Sequence, residues 1–411
     1  MKDTWDTIII GGGPSGMMSA SIAAARGLKV LLLEKNPHTG KKLRITGGGR
    51  CNISNATFDN RSLLSRVGVA DQFLFSVFAQ HSVKDSLEYF KNIGIETKEE
   101  PGARLFPISE KAEDVALALE EDLKKNHVEV RTNITVTGFN YEAGKITSVK
   151  TRDKVFYAKT FILATGGTSR PETGSTGDGY KWLLDIGHKV ITPTPSLVPI
   201  VSKDSWLSKV AGIALSESVI SIYLDKVLIK KSKGKVLFTH QGLSGPGILN
   251  LSSVIGENLR HGEVQLRLNL NPLYTDESLT EKIKQLCLTE PNKKIKNLIK
   301  ELVPSGLISP VLSQAGINED RNGNTITRQD RHHLTNTIRG LSINIHSLLG
   351  ADKAIIASGG VDLSEINFKN MSSKLYPNLH IVGDLLNIQR PSGGYSLQLC
   401  WTTGFVAGNN C

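Results

Sequence analysis

Three features predict an α/β fold, a parallel sheet interrupted by an insertion. Thr7–Lys35, TIIIGGGPSGMMSASIAAARGLKVLLLEK, passes from an apolar strand through a glycine turn and an alanine-rich helix to a second apolar strand, one βαβ unit. FILATGG, Phe161–Gly167, is a second buried strand ending in glycine. After Leu341 the same character returns as KAIIASGGV, LHIVGD and a glycine-led helix, GGYSLQLCWTTGFVAG, so the two ends of the chain are expected to rebuild one domain. At 411 residues the chain exceeds the ~250–300 at which single cores stop growing, which also asks for more than one domain.

Between these landmarks, Asp59–Lys91 reads as loosely helical and Ser109–His127 as a clearer helix, with Ser109 its N-cap ahead of first-turn carboxylates. Strands are expected at Glu129–Val136, Ile146–Lys150 and Lys154–Tyr157. ITPTPSLVPI, Ile191–Ile200, carries three prolines, which stop helices and hold their predecessors extended, and marks a boundary. Beyond it Val210–Leu270 is β-rich and Asp276–Gly340 mainly helical. The expected division is 1–194 and 341–411 for the two parts of the nucleotide domain, 195–271 for a β-rich, barrel-like subdomain and 272–340 for a helical one.

With 39% apolar residues, no long apolar run and no targeting signal in MKDTWDTIII, the expectation is a cytoplasmic protein without a membrane partner. The four cysteines are scattered singly, which argues against a disulfide framework or metal site, and the adjacent His332 and His333 face different ways on their helix. The net charge of +10 is spread out. Its densest patch, DKVLIKKSKGK at 225–235, reads as a lysine-guarded hairpin edge turning at Ser232–Gly234. No aromatic interleaves it, so no nucleic acid is expected, although the basic balance keeps a nucleic-acid-associated protein as an alternative.

Gly11, Gly13 and Gly16 stand in G-x-G-x-x-G register between strand and helix. The first permits the tight turn, the second admits a pyrophosphate to the backbone, and the third lets helix pack on strand. Pro14 and Ser15 open that helix, whose free N–H groups attract phosphate. Glu34, followed by Lys35, ends the next strand where an acid accepts from a ribose hydroxyl, which disfavours NADP. A second glycine-rich, basic segment, GKKLRITGGGRCN, supplies Lys42, Gly48, Gly49, Arg50, Cys51 and Asn52. Ala164, Thr165 and Gly166, with Val136, form a further strand-end contact, and Gly383 with Asp384 puts an acid within reach of a ribityl hydroxyl. A ligand needing all three corners is long, and FAD fits better than NAD.

The series GGGPSGMMSA, GGGRCN, ATGG with TGSTGDGY, FTHQGLSGP, SGGV, and VGD followed by GGYSLQ resembles, from end to end, the bacterial flavoproteins that include aminoacetone oxidase and a reductase of bile-acid 3-oxo steroids. That resemblance implies a Rossmann-like FAD-binding domain of the three-layer β/β/α type, interrupted by the insertion, within the glutathione-reductase-like FAD superfamily. The chain departs from the family pattern at Asp384, often Glu, at Asn387, often Asp, and at Ser396, often Asn.

The residues then support hydride chemistry carried by the flavin. Gly393, Gly394, Tyr395 and Ser396 open a helix whose positive end would face the flavin edge that gains charge on reduction. Arg50 is read as a pyrophosphate partner and Cys51, lacking a companion cysteine, as a small packing residue beside the cofactor; Asn52 has flavin or backbone to choose from. His240, Tyr395 and Arg104 are the catalytic candidates: a proton relay, a residue at the flavin-facing helix start, and a cation to steer an anionic substrate. No second G-x-G-x-x-G unit exists for a nicotinamide, so NAD(P)H would visit transiently. The expected function is an FAD-dependent reductase of a small organic substrate, with an amine oxidase using oxygen, or a non-catalytic flavin-binding protein, as alternatives.

Overall fold

The computed structural model describes residues 4–350 and 352–411; Met1–Asp3, at the head of the segment read as free of a targeting signal, lie outside the described residues. No described helix is long and apolar enough to cross a membrane. The chain divides into two compact units, 1–195 together with 351–411, and 196–350.

The first unit is built on parallel strands β1 (Thr4–Ile10), β2 (Val30–Leu33), β3 (Glu129–Arg131) and β4 (Val155–Leu163), joined on the far side of β4 by Leu379–Ile381. Ile9 pairs with Leu32 on one side and Ile162 on the other. Ile8, Ile9, Leu31 and Leu32 are all fully buried. Covered on both faces, such strands read as continuous apolar runs rather than alternating ones. Helix α1 (Pro14–Ala25) follows β1 and packs against the terminal helix α2 (Tyr395–Asn410). The contact is made at backbone distance: a Cβ at Gly404 would lie 2.6 Å from the Ser15 carbonyl oxygen, and one at Gly408 2.5 Å from that of Ser19. An antiparallel pair, Val136–Glu142 with Lys145–Thr151, joins the sheet through β4.

Three local readings change. Lys154–Tyr157 and Phe161–Gly167 are one strand, β4, because Lys159 between them simply points outward to Asp6, 2.7 Å away. The expected helix from Ser109 spans Ala112–Lys125 with Lys111 at its cap, and its N-terminal charge is met by Glu113 and Asp114 rather than by a serine cap. Glu129–Val136 breaks after Arg131, where Asn133 turns the chain at φ +58°.

The second unit is a closed barrel of six strands, β5 (Ile200–Ser202), β6 (Ala214–Leu224), β7 (Val227–Phe238), β8 (Gly242–Ser244), β9 (Val264–Asn269) and β10 (Leu341–Leu348), in the order β5-β8-β7-β6-β9-β10. Ile220, Ile222, Leu266, Leu268 and Ile343 fill its interior at 0% exposure. Helices Asp276–Thr289 and Arg328–Arg339 belong to the same unit, each started by a capping box on a threonine, Thr275 and Thr327.

Two expectations fail here. Leu341–Leu348, assigned from sequence to the returning nucleotide domain, closes the barrel by pairing with β9 and β5. Its alternation of buried Leu341, Ile343 and Ile345 with outward Ser342 and Asn344 is that of a half-buried barrel strand. The hairpin turn lies at Asp225–Lys226, both at positive φ, and not at Ser232–Gly234, which run inside β7. Gly234 is small for another reason: a Cβ there would meet the Gly247 Cα at 2.7 Å.

Candidate active site

The carboxyl ends of β1, β2 and β4 open onto a cleft of about 1090 Å³ in the first unit. Its floor is the glycine turn. Gly11 holds φ +108°, and a Cβ there would lie 2.5 Å from the Ala164 carbonyl oxygen; at Gly16 it would lie 1.9 Å from that of Gly11. Gly13 differs, because a Cβ built on it meets nothing within 4 Å and projects into open space. Gly13 caps α1 with no side chain bonded to the helix's first N–H groups, so those donors are left for an anion. Pro14 and Ser15 line the cleft beside them.

Glu34 is 7% exposed and fixed by three donors, the Gly12 N–H at 2.6 Å and the Asn36 N–H and side-chain amide at 2.7 Å each. Lys35 pairs with Asp178 at 2.8 Å. Val136, Ala164, Thr165 and Gly166 continue the wall, and Thr165 Oγ1 is buried with no hydrogen-bond partner among the described residues. An orphaned hydroxyl and an uncapped helix end, in one cleft with a fixed acid, fit a long dinucleotide with a polar backbone.

The opposite wall is a charge cluster. Lys42 Nζ donates to Ser169 Oγ at 2.7 Å and reaches Asp384 at 3.3 Å. Arg390, its side chain 1% exposed, pairs with Asp384, donates to the Ile388 carbonyl at 2.6 Å and reaches Ser396 Oγ at 3.1 Å. Burial alone would raise the Asp384 pKa, but the charges of Arg390 and Lys42 outweigh it and hold the carboxyl below its ordinary range. Two cations around one carboxylate leave this wall net positive. Ser396 also stands in the first turn of α2, which starts at Gly394 without a side-chain cap.

Other sequence candidates stand elsewhere. Arg50, expected at a pyrophosphate, is taken up by Glu100, by Glu110 at 3.2 Å and by the face of Phe106 at 4.3 Å. Arg104 shares that cluster, 3.6 Å from Glu100, so it offers no spare cation to an anionic substrate. Gly48 and Gly49 shape the loop at φ +69° and +86° but do not line the cleft. Cys51 is fully buried in the core, where desolvation pushes its thiol up to about 12. With its amide turned to satisfy its neighbours, Asn52 accepts the Gly394 N–H at 2.9 Å, and so chooses backbone. Gly383, Gly393, Gly394 and Tyr395 form the frame behind the cleft: Gly383 packs on Ser15, and a Cβ at Gly394 would strike the Ser54 carbonyl oxygen at 2.1 Å. Tyr395 is buried, at 7% exposure. His240 lies exposed on the turn between β7 and β8 of the second unit.

Sequence reading passed over Arg390, Cys400 and Trp182, of which the last two line the cleft. Arg390 carried one signal, a lone arginine in a loop bounded by a buried strand and a glycine pair. Cys400 carried none, since its neighbours Leu399 and Trp401 are core residues.

Residues 5–410 match the family model described as HI0933-like protein Rossmann domain. A 3-dehydro-bile acid delta(4,6)-reductase of Clostridium scindens is 28% identical over 97% of this chain and 97% of its own. A ribosomal RNA dihydrouridine synthase of Escherichia coli is also 28% identical, over 98% and 97%. The fold is that of a 3-ketosteroid delta1-dehydrogenase from Sterolibacterium denitrificans, with a TM-score of 0.54 at 14% identity and 99% of both chains covered. The chain thus belongs to the HI0933-like family and is an FAD-dependent oxidoreductase.

Proposed function

We propose that the protein is a reductase that saturates a carbon–carbon double bond conjugated to a carbonyl, with a nicotinamide as the external electron donor. The observation that carries this reading is the net positive wall of Arg390 and Lys42 around Asp384, next to the uncapped start of α2. Positive charge fixed in a partly dry cleft stabilises a group that becomes more anionic on accepting electrons. The names of two full-length relatives support an acceptor of this class. A 3-oxo steroid with ring double bonds is a conjugated enone, and the uracil 5,6 bond saturated in dihydrouridine is conjugated to the C4 carbonyl.

FAD, when bound, supplies the hydride. The chain supplies the rest. Uncapped N–H groups of α1 beyond Gly13 would hold the diphosphate, Glu34 would accept from the ribose on one side of it, and Thr165 and Asp384 would serve the ribityl polyol on the other. Ser396 and the first N–H groups of α2 would serve the reducible ring, and Arg390 keeps Ser396 and Asp384 in register. Apolar Val136, Trp182 and Ile356 keep water from the cleft.

The test is photometric. Under argon, NADH or NADPH should bleach the flavin band, and a 3-oxo-4-ene steroid or a uridine-containing RNA should restore it. Bleaching by aminoacetone, with peroxide formed on admitting air, would instead mark an amine oxidase and overturn the reductase reading.

A further inference from the structure

No aromatic residue interleaves the lysines of β7 along the chain. The barrel register changes that. β6 residues opposite β7 share its faces, and Ile220 and Ile222 point inward, so Ser221 and Tyr223 point out. Opposite them across β7 stand Lys231 and Leu228, and Lys233 faces Val219 two residues on. Across β9 the same rows continue with Arg267 beside Ser221 and Gln265 beside Tyr223, and across β10 with Ser342 and Asn344. One outer barrel face therefore carries Lys231 and Lys233, then Tyr223 with Arg267 stacked 4.4 Å over its ring, then Gln265 bonded to Asn344 at 3.1 Å.

The charge on this face is not neutralised. Lys231, Lys233, Lys235 and Arg267 make no ion pair among the described residues, and neither do Lys226 at the turn and Lys230 opposite Ile222. In the same unit Lys282, Lys284, Lys293, Lys294 and Lys296 are each matched to an acid within 3.2 Å. Residues 225–235 alone hold five lysines against Asp225, which accounts for +4 of the chain's +10. The acids at its margin are already engaged or apart: Asp225 accepts the Glu263 N–H at 2.9 Å and Asp204 holds Asn344, while Glu217 stands at the β6 bulge.

We propose that this outer face of the barrel, β7-β6-β9-β10, docks single-stranded RNA. The lysines would follow the phosphates, Tyr223 with Arg267 offers a stacking platform for a base, and Gln265 and Asn344 bring hydrogen-bonding amides to base edges. An anionic membrane would match the charge but not the paired amides and stacked guanidinium. The inference goes beyond the proposed function, and binding at this face does not depend on that reading.

The experiment uses the full-length holoprotein and a fluorescent uridine-rich 12-mer RNA, read by anisotropy from 0.05 to 0.4 M salt. Wild type should bind with strong salt dependence. The K231Q/K233Q/K235Q variant removes three phosphate contacts, so its log–log salt slope should fall by about 2 and its affinity at 0.1 M salt by about 100-fold. Y223S should weaken binding by roughly tenfold while leaving the salt slope unchanged. K293Q/K294Q/K296Q, drawn from the neutralised lysines, should bind like wild type. Flavin absorbance and thermal midpoint, measured for each variant, show that it is folded. Unaltered RNA affinity in folded K231Q/K233Q/K235Q overturns the assignment, as does co-sedimentation with phosphatidylserine vesicles in the absence of RNA binding. Steroid enone reduction by the same samples is a separate readout: if it persists while RNA binding fails, the docking face falls and the reductase stands.

Discussion

Two glycine-led helix starts lie at the cleft, and they use glycine for opposite reasons. At α1, Gly13 has an ordinary φ of −80° and empty space where its Cβ would be. At α2, Gly394 holds φ +99° with the Ser54 carbonyl 2.1 Å from the Cβ it lacks, and Asn52 grips its N–H. The protein's own backbone forbids a side chain at the second site, whereas at the first only a ligand would. One glycine is demanded by the fold, and the other leaves open space in the cleft where the proposed cofactor would lie.

That contrast breaks most sharply at Gly394→Ala. A clash with fixed backbone combined with positive φ should cost more than about 4 kcal/mol and leave little soluble protein, measured as the yield of folded material. Arg390→Met comes next: it leaves Asp384 buried beside Lys42 alone and should destabilise the first unit by about 3–5 kcal/mol in urea titration. A milder effect comes from pH, through His81, stacked on Phe405 of α2 at 4.2 Å. Desolvation pushes its pKa down from 6.5 to about 4, so the unfolded chain takes up a proton first. Stability that is complete above pH 6.5 should therefore fall by about 3 kcal/mol as the pH drops to 4, and His81→Phe should flatten that slope.

Gly13→Val sharpens the comparison from the other side. The folded chain should keep its stability within about 1 kcal/mol, yet lose FAD affinity about 100-fold, or about 2.7 kcal/mol, by equilibrium dialysis. Loss of folding instead would move Gly13 into the class of Gly394. The smallest effect is expected at Cys400, whose thiol burial pushes up to about 12. Native protein at pH 8 should leave it unalkylated by iodoacetamide, and rapid labelling would show that the start of α2 opens.

Much of the site was legible because its rules are local. The spacing of Gly11, Gly13 and Gly16 and the acid at Glu34 depend on one βαβ unit, and all four residues come together as that unit dictates. Arg50 shows where such reasoning stops. A guanidinium in a glycine loop suits a phosphate, but whether it reaches one depends on Glu100, Glu110 and Phe106, fifty to sixty residues away. The lysines of β7 fail in the same way, since their aromatic neighbour, Tyr223, stands on another strand.

By itself the sequence determined the strand-turn-helix corners and the glycines that tolerate no side chain, because each rests on steric and periodic constraints within a few residues. Only the tertiary structure decided which charges cancel. It matched Arg50 and Arg104 to acids, placed Arg390 behind Asp384, carried Leu341–Leu348 into the barrel, and left the lysines of β7 and Arg267 unmatched among the described residues. Ion pairing is settled by distances of 3–4 Å between segments far apart in the chain, and those distances exist only once the chain is folded.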